Sequence, residues 1–268
     1  MELTILVENT TLIDHYYKGE PGFCCLLEDG EEKILLDTGY SGLLLENAAA
    51  MGIDLSQVGT IALSHGHDDH TGGLAAFFRA FPRWQGRVVC HPDALEPKRS
   101  GRHPVGSPLS RQEVEDRCRL VLTREPVSLS PHVVFLGEIP RRTAFEAARP
   151  LAKRWDGEGW VGDFLPDDTA LAVEGETGQW VVTGCSHSGV CNILLRAQEV
   201  TGRETAGLLG GFHLMAPGPQ TEETVRFLKG RALRRLIPCH CTGFEARVAM
   251  VEAGLPVEQI GVGSRLTL

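Results

Sequence analysis

The segment Ser64-His65-Gly66-His67-Asp68-Asp69-His70-Thr71-Gly72-Gly73 gathers three imidazoles and two carboxylates within six residues. Neutral imidazole and carboxylate are ligands that borderline divalent metals accept. The apolar run Thr60-Ile61-Ala62-Leu63 precedes it and reads as a strand. The loop therefore delivers His65, His67, Asp69 and His70 from one strand end to one small volume. A short loop cannot wrap all four around a single ion without strain. It can divide them, with His65 and His67 on one ion and Asp69 and His70 on a neighbour. Two ions roughly 3.5–4 Å apart clamp an attacking hydroxide between them. Each ion then needs further ligands from elsewhere in the chain.

Three later histidines stand in loops after strands, where functional groups concentrate. His187 lies in Thr183-Gly184-Cys185-Ser186-His187, His213 in Gly210-Gly211-Phe212-His213-Leu214, and His240 in Pro238-Cys239-His240-Cys241-Thr242-Gly243. His187 and His240 are the expected additional ligands. His213 is either a ligand or a group that supports a ligand or touches substrate. His15, His103 and His132 read as surface or packing residues, whereas His91 follows a strand and is placed to line a cleft.

The elements that must position these groups follow from periodicity. Phe23 to Leu27, Asp29-Gly30 and Lys33 to Asp37 form a hairpin signal. Leu43 to Met51 reads as a helix closed by Gly52. Leu74, Phe77, Phe78 and Phe81 fall on one helical face that stops at Pro82. That helix begins beside His70, so its dipole favours anionic ligands near the metal loop. Arg87 to Cys90 and Val133 to Leu136 read as strands. Residues 92–131 are broken by prolines and glycines, with a capping box at Ser110 and Glu113. The stretch 141–163 is polar and reads as an excursion over the surface, a lid or a mobile loop. The second half repeats the outline, with a hairpin through Thr169–Val173 and Trp180–Cys185, then alternating helices and strands. Hairpin plus alternating elements, twice over, predicts two sheets packed face to face with helices outside, a four-layer αββα architecture. One continuous sheet would contradict it.

Size and charge narrow the class. The 268 residues suffice for one domain with a substantial core, spanning 1–268 with an insertion or lid around 92–165. The net charge of −9 disfavours nucleic acid as a partner. No apolar stretch has the length of a membrane span, and the acidic start lacks an export signal, so a cytoplasmic location is expected. The eight cysteines include no C-x-x-C pair and read as free thiols in a reducing compartment. No oligomerisation motif is readable.

His65-x-His67-x-Asp69-His70, with Leu36-Asp37-Thr38-Gly39 before it and His187 and His240 after it, resembles the metallo-β-lactamase superfamily. The resemblance implies an αββα sandwich with a dinuclear site at the sheet edges. It also implies that Asp37 lies close to the metals without binding them. Gly137-Glu138-Ile139-Pro140-Arg141, Asp167-Asp168-Thr169-Ala170-Leu171, Gly184-Cys185-Ser186-His187 and the His213 and His240 segments are similar to one branch. That branch is named for a dihydropteroate-synthase-like activity. Its named archaeal member joins a dihydropterin to a ribofuranosyl-aminobenzene phosphate; many bacterial members are called only metal-dependent hydrolases. One departure stands out. Many superfamily members carry a metal-bridging Asp after a Thr-Gly strand end, and here that place is Cys185. Asp168 lies near where other members carry a His, so Cys185, Asp168, His213 and Asp37 are further candidates for binding or supporting the ions.

The implied reading is a hydrolase with two divalent ions, zinc first and iron or manganese as alternatives. Activated water would attack an ester, phosphoester or related bond of a small anionic substrate. Asp69 or Asp68 would accept the proton. Arg141 and Arg142 are candidates for binding a phosphate or carboxylate, and Phe145, Trp155 or Trp160 for stacking on a planar ring such as a pterin. Pterin transfer without hydrolysis, or metal and ligand binding without catalysis, are the competing readings.

Overall fold

The computed structural model describes residues 1–146 and 149–268. Among these, a seven-stranded sheet runs in spatial order Arg265–Thr267, Glu2–Val7, Cys24–Asp29, Glu32–Leu36, Thr60–Ala62, Arg87–Cys90, Arg119–Leu122. A six-stranded sheet runs Arg235–Pro238, Thr205–Gly210, Gly178–Thr183, Ala170–Gly175, Val133–Phe135, Val127–Ser128. Their facing sides bury one apolar core that includes Phe23, Phe135, Trp180 and Leu209. The helices Leu43–Ala50 and Leu74–Ala80 cover the outer face of the first sheet. Val190–Thr201, Pro219–Lys229 and Phe244–Glu252 cover the outer face of the second. The expected four-layer αββα sandwich is what the chain forms.

Each half changes from antiparallel to parallel pairing after its hairpin. Glu32–Leu36 runs parallel to Thr60–Ala62, and Gly178–Thr183 runs parallel to Thr205–Gly210, which in turn runs parallel to Arg235–Pro238. Parallel neighbours end on the same side, and open α/β sheets place their binding crevice at those carboxyl ends. Asp37, the metal-ligand loop, Cys185, His187, His213 and His240 all follow such strand ends. The repetition visible in the sequence is thus the device that brings both halves' loops to one rim.

The region 92–165 is more ordered than the sequence implied. Arg119–Leu122 extends the first sheet and Val127–Ser128 the second. A third sheet of four strands joins Trp160–Asp163, Ala152–Trp155, Lys98–Ser100 and His103–Pro104. The stretch expected as an irregular excursion therefore contains a hairpin, closed by Asp156, whose Oδ1 accepts the amides of Glu158 and Gly159 at 3.0 and 2.9 Å. Periodicity missed it because both its faces carry polar residues. Trp155 and Trp160 pack edge to face within this sheet, with Arg99 stacked 4.0 Å over Trp160. Phe145 packs with the outer core of the second sheet. No helix among the described residues is long and apolar enough to cross a membrane.

Candidate metal centre

The loop from Ser64 to Gly73 is held at several points by backbone hydrogen bonds. Phe23 N donates to Asp69 O at 3.2 Å and Thr38 N to His70 O at 2.7 Å. Gly72 and Gly73 let the chain pass here, since a Cβ at either would overlap the carbonyl oxygens of Tyr40 and Thr38. His67, Asp69 and His70 leave the short helical turn Asp68–Thr71, and His65 leaves the strand end before it.

Asp37 is fully buried and adopts a left-handed backbone (φ 62°). Its carboxylate accepts Ser64 N at 2.7 Å, Ser64 Oγ at 2.6 Å and His70 Nδ1 at 2.7 Å. This fixes a proton of His70 on Nδ1 and aims Nε2 inward. His70 Nε2 then lies 3.1 Å from Cys185 Sγ, 3.1 Å from His240 Nε2 and 3.6 Å from Asp69 Oδ2. His240 gives its Nδ1 proton to Asn9 Oδ1 at 2.9 Å, so its Nε2 presents a lone pair, 3.4 Å from Asp69 Oδ2. Two imidazole nitrogens facing each other at 3.1 Å need either a proton or a metal cation between them. The edges of a tetrahedron around an ion with bonds of about 2.0–2.3 Å are roughly 3.3–3.8 Å. The spacing of Asp69, His70, Cys185 and His240 fits one ion.

A second set adjoins the first. The rings of His65, His67 and His187 form a triangle with centroids 4.7, 4.7 and 4.9 Å apart. Ser64 Oγ, already donating to Asp37, accepts His65 Nδ1 at 3.0 Å, which leaves His65 Nε2 unprotonated. Neither ring nitrogen of the buried His187 has a partner, and His67 Nε2 has none. The ligand atoms of His65, Cys185 and His187 lie within 4.8 Å of one another, as do those of His65, His67 and Asp69. Cys185 thus borders both sets, in the position the sequence flagged as a departure.

The electrostatics agree with a cation-binding role. Burial and the neighbouring imidazoles push His65 and His187 well below the ordinary histidine range, keeping them neutral. Burial opposes ionisation of Asp69, yet His70, His240 and His67 outweigh it and hold its carboxyl below the usual range. Burial likewise opposes charge on His70, but Asp69 and Asp37 raise it to about 9. Burial pushes the Cys185 thiol well up, so a bound cation is what would make it a thiolate.

The remaining sequence candidates divide clearly. Asp168 is buried under His187 rather than beside the ligand atoms. Its carboxylate accepts His187 N and Ser188 N at 2.9 Å, together with the Ser188 hydroxyl, and burial raises it to about 6. It positions His187. His213 faces His187 at a centroid distance of 4.5 Å with Nδ1 unpartnered, outside both ligand sets. Asp68 stands at the mouth of the cavity over the site. Arg141 and Arg142, expected to bind substrate, are turned to structural partners. Arg141 donates to the carbonyls of Phe164 and Leu165, and Arg142 pairs with Glu199 at 2.5 Å and uses its backbone N–H on Asn192. His91 is buried against Glu138 and Arg124, away from the main cavity.

Four supporting residues escaped the sequence reading. Glu8 accepts His240 N at 2.6 Å and Asn9 orients its ring, both from the end of the first strand. Asp167 accepts Gly66 N at 2.8 Å, between His65 and His67. Lys98, fully buried, sits 3.3 Å from both Asp163 and Asp167. The Glu8-Asn9 pair ends a strand, the same signal that found the histidines.

This site and fold define a class, and the profile of the metallo-β-lactamase superfamily matches residues 17–240; the chain belongs to that superfamily. It is 29% identical over 234 residues to the 7,8-dihydropterin-6-methyl-4-(β-D-ribofuranosyl)-aminobenzene-5'-phosphate synthase of Methanocaldococcus jannaschii, covering 83% of this chain and 79% of that one. It is 30% identical over 246 residues to the uncharacterized protein MJ0448 of the same organism, covering 91% of each. The solved structure of Tm1679, described as a metal-dependent hydrolase of the β-lactamase superfamily, superposes with a TM-score of 0.87 at 28% identity, covering 100% of this chain and 99% of that one.

Proposed function

We propose that this chain is a hydrolase using two divalent ions, zinc foremost, with iron or manganese as alternatives. The observation that carries the reading is the convergence of His70 Nε2 and His240 Nε2 at 3.1 Å, with Cys185 and Asp69 completing the set. His65, His67 and His187 would hold one ion, Asp69, His70 and His240 the other, with Cys185 between them. When bound, the ions would supply Lewis acidity and a nucleophile at neutral pH. The chain's own groups do the rest. Asp37 holds the His70 tautomer, Asn9 and Glu8 hold His240, and Asp168 holds His187. Asp68, partly exposed at the cavity mouth, is placed to take or return a proton.

The cavity above the ligands has a volume of about 650 Å³, the size of a small-molecule site. We therefore read the partner as a small molecule. Likeness to a protein named a synthase supports a second reading, in which the same site joins two substrates. Elemental analysis of protein purified without added metal, followed by product analysis on ester, phosphoester and lactone panels, tests the first reading. Two ions per chain with water-dependent turnover is expected. Absence of metal, or condensation without hydrolysis, would overturn it.

A further inference from the structure

The walls of the cavity indicate what kind of molecule enters it. Its rim is built from Tyr40, Leu151 and Met215, three large apolar side chains from separate segments, exposed by 52%, 47% and 61%. Pro21, also exposed, and Val105, half-buried, line it as well. Apolar side chains exposed singly are ordinary, but their convergence on one opening marks a binding surface. Among the described residues no Lys or Arg lines this cavity. Those that approach the region are engaged elsewhere. Lys98 is buried between Asp163 and Asp167, Arg99 lies over Trp160, and Arg154 sits beside Asp93 and Asp163. Arg149 lines a smaller, adjoining cavity that shares Leu151, His187 and His213 with this one. Asp68 adds negative charge at the mouth.

We infer that the substrate is amphipathic, with one oxygen-rich group directed at the ligand cluster and an uncharged apolar body against Tyr40, Leu151 and Met215. This inference rests on the proposed metal-dependent reading. Within this cavity a phosphate carried at the far end of the molecule would meet apolar walls and no cation, at a desolvation cost its lining does not repay; the guanidinium of Arg149 belongs to the adjoining cavity. The anionic substrate expected from the sequence is thereby narrowed. Any negative charge belongs at the metal end, and the product in the synthase relative's name, which ends in a 5'-phosphate, is a poor match to this cavity.

The test uses three probes that share a metal-binding head and differ in tail: acetohydroxamate, hexanohydroxamate, and a hydroxamate of the same length ending in a phosphonate. Affinities are measured by calorimetry on the metal-containing protein as purified, with its metal content determined in parallel. Each fully buried methylene is worth about fourfold in affinity. Hexanohydroxamate should therefore bind at least tenfold tighter than acetohydroxamate, and the phosphonate-ended probe at least tenfold weaker than hexanohydroxamate. Leu151→Asp and Met215→Asp, both at exposed positions, should draw the hexano-to-aceto ratio toward one, with circular dichroism confirming the fold. Metal present without a chain-length gain, or a phosphonate probe that binds best, overturns this inference alone. Absence of both metal and hydroxamate binding overturns the proposed function, and this inference with it.

Discussion

Lys98→Met is the sharpest test of how the inserted sheet supports the metal loop. Lys98 Nζ lies 3.3 Å from Asp163 Oδ2 and 3.3 Å from Asp167 Oδ2, and also donates to Asp93 O at 3.2 Å. The side chains of Lys98, Asp163 and Asp167 are all fully buried. Asp167 passes the restraint on, since its Oδ2 accepts Gly66 N between two expected ligands. Gly66 itself rests against Lys98, as a Cβ there would come within 2.9 Å of the Lys98 Cε. Methionine retains most of the stem and removes the ammonium. Two carboxylates then stay buried without the ammonium, Asp163 keeping as a cation only Arg154 at 4.0 Å, and breaking a buried ion pair in this way costs about 3–5 kcal/mol. For a chain of this size that corresponds to a fall in Tm of roughly 10 °C.

The assay is urea unfolding of the metal-stripped protein, paired with metal analysis of the protein as purified. Lys98→Met should lose stability in that range. It should also lose more of the ion we assign to His65 and His67 than of the ion we assign to His70 and His240. The triple variant Lys98→Met, Asp163→Asn, Asp167→Asn should recover at least half the lost stability. It removes the unpaired charges, while the amide oxygen introduced at position 167 can still accept Gly66 N. A Lys98→Met protein within about 1 kcal/mol of wild type, or a triple variant no better than the single, would refute the reasoning.

The remaining expectations are narrower. Cys185→Ala should drop the metal content from two ions to one, whereas Cys185→Asp should keep both; the cobalt form of Cys185→Asp should lack the sulfur-to-metal charge-transfer band of the wild type. Asp37→Asn, which weakens the hold on His70, should lower metal affinity by about 10–100-fold, read by competition with a chelating dye. Arg141→Ala and Arg142→Ala should leave hydroxamate affinity unchanged, because both side chains serve other segments; a tenfold loss in either would return them to the site. Stripping the ions should lower Tm, since ions held at about 1,000 times their Kd stabilise by about 4 kcal/mol; an unchanged melting curve in a protein shown to carry two ions would count against binding restricted to the folded state.

How much of this was legible in the sequence depends on how far apart the cooperating residues lie. The cluster at the metal loop was readable because its candidate ligands are contiguous and of types that seldom crowd together. His187 and His240 became readable once strand ends were recognised as delivery points. The double hairpin was visible through Asp29-Gly30 and the turn at Gly175–Gly178, and it fixed the layer count. What failed was long-range pairing. Asp167 is 101 residues from Gly66, and Glu8 is 232 residues from His240, so no local pattern marks either contact. Arg141 and Arg142 misled because side-chain type shows what an arginine can bind, while the neighbouring chain decides what it does bind. The hairpin through 152–163 carries little alternation, since it is largely half-buried or exposed and pairs with Lys98–Ser100 rather than with a sheet that has a core of its own.

The site's backbone shows why so many residues outside the ligand set are needed. Asp37, Ser186, His213 and His240 all adopt positive φ angles of 48–62°, a region that costs a residue with a side chain on the order of 1 kcal/mol or more. These conformations aim the side chains inward from strand ends that would otherwise carry the chain past the rim. The inward aim also crowds imidazoles, a carboxylate and a thiol into a buried volume, where His65, His187 and Cys185 resist ionisation while His70 and Asp69 are held charged. Hydrogen bonds from Asp37, Ser64, Asn9, Glu8 and Asp168 hold each group in place despite that crowding. A bound cation would add a common attraction to the same set of groups. Preorganisation of this kind is a reason to place the ligands on rigid strand ends and to tie the inserted sheet to the loop through Lys98. A flexible loop would relax the crowding by spreading its ligands, and binding would then have to gather them again.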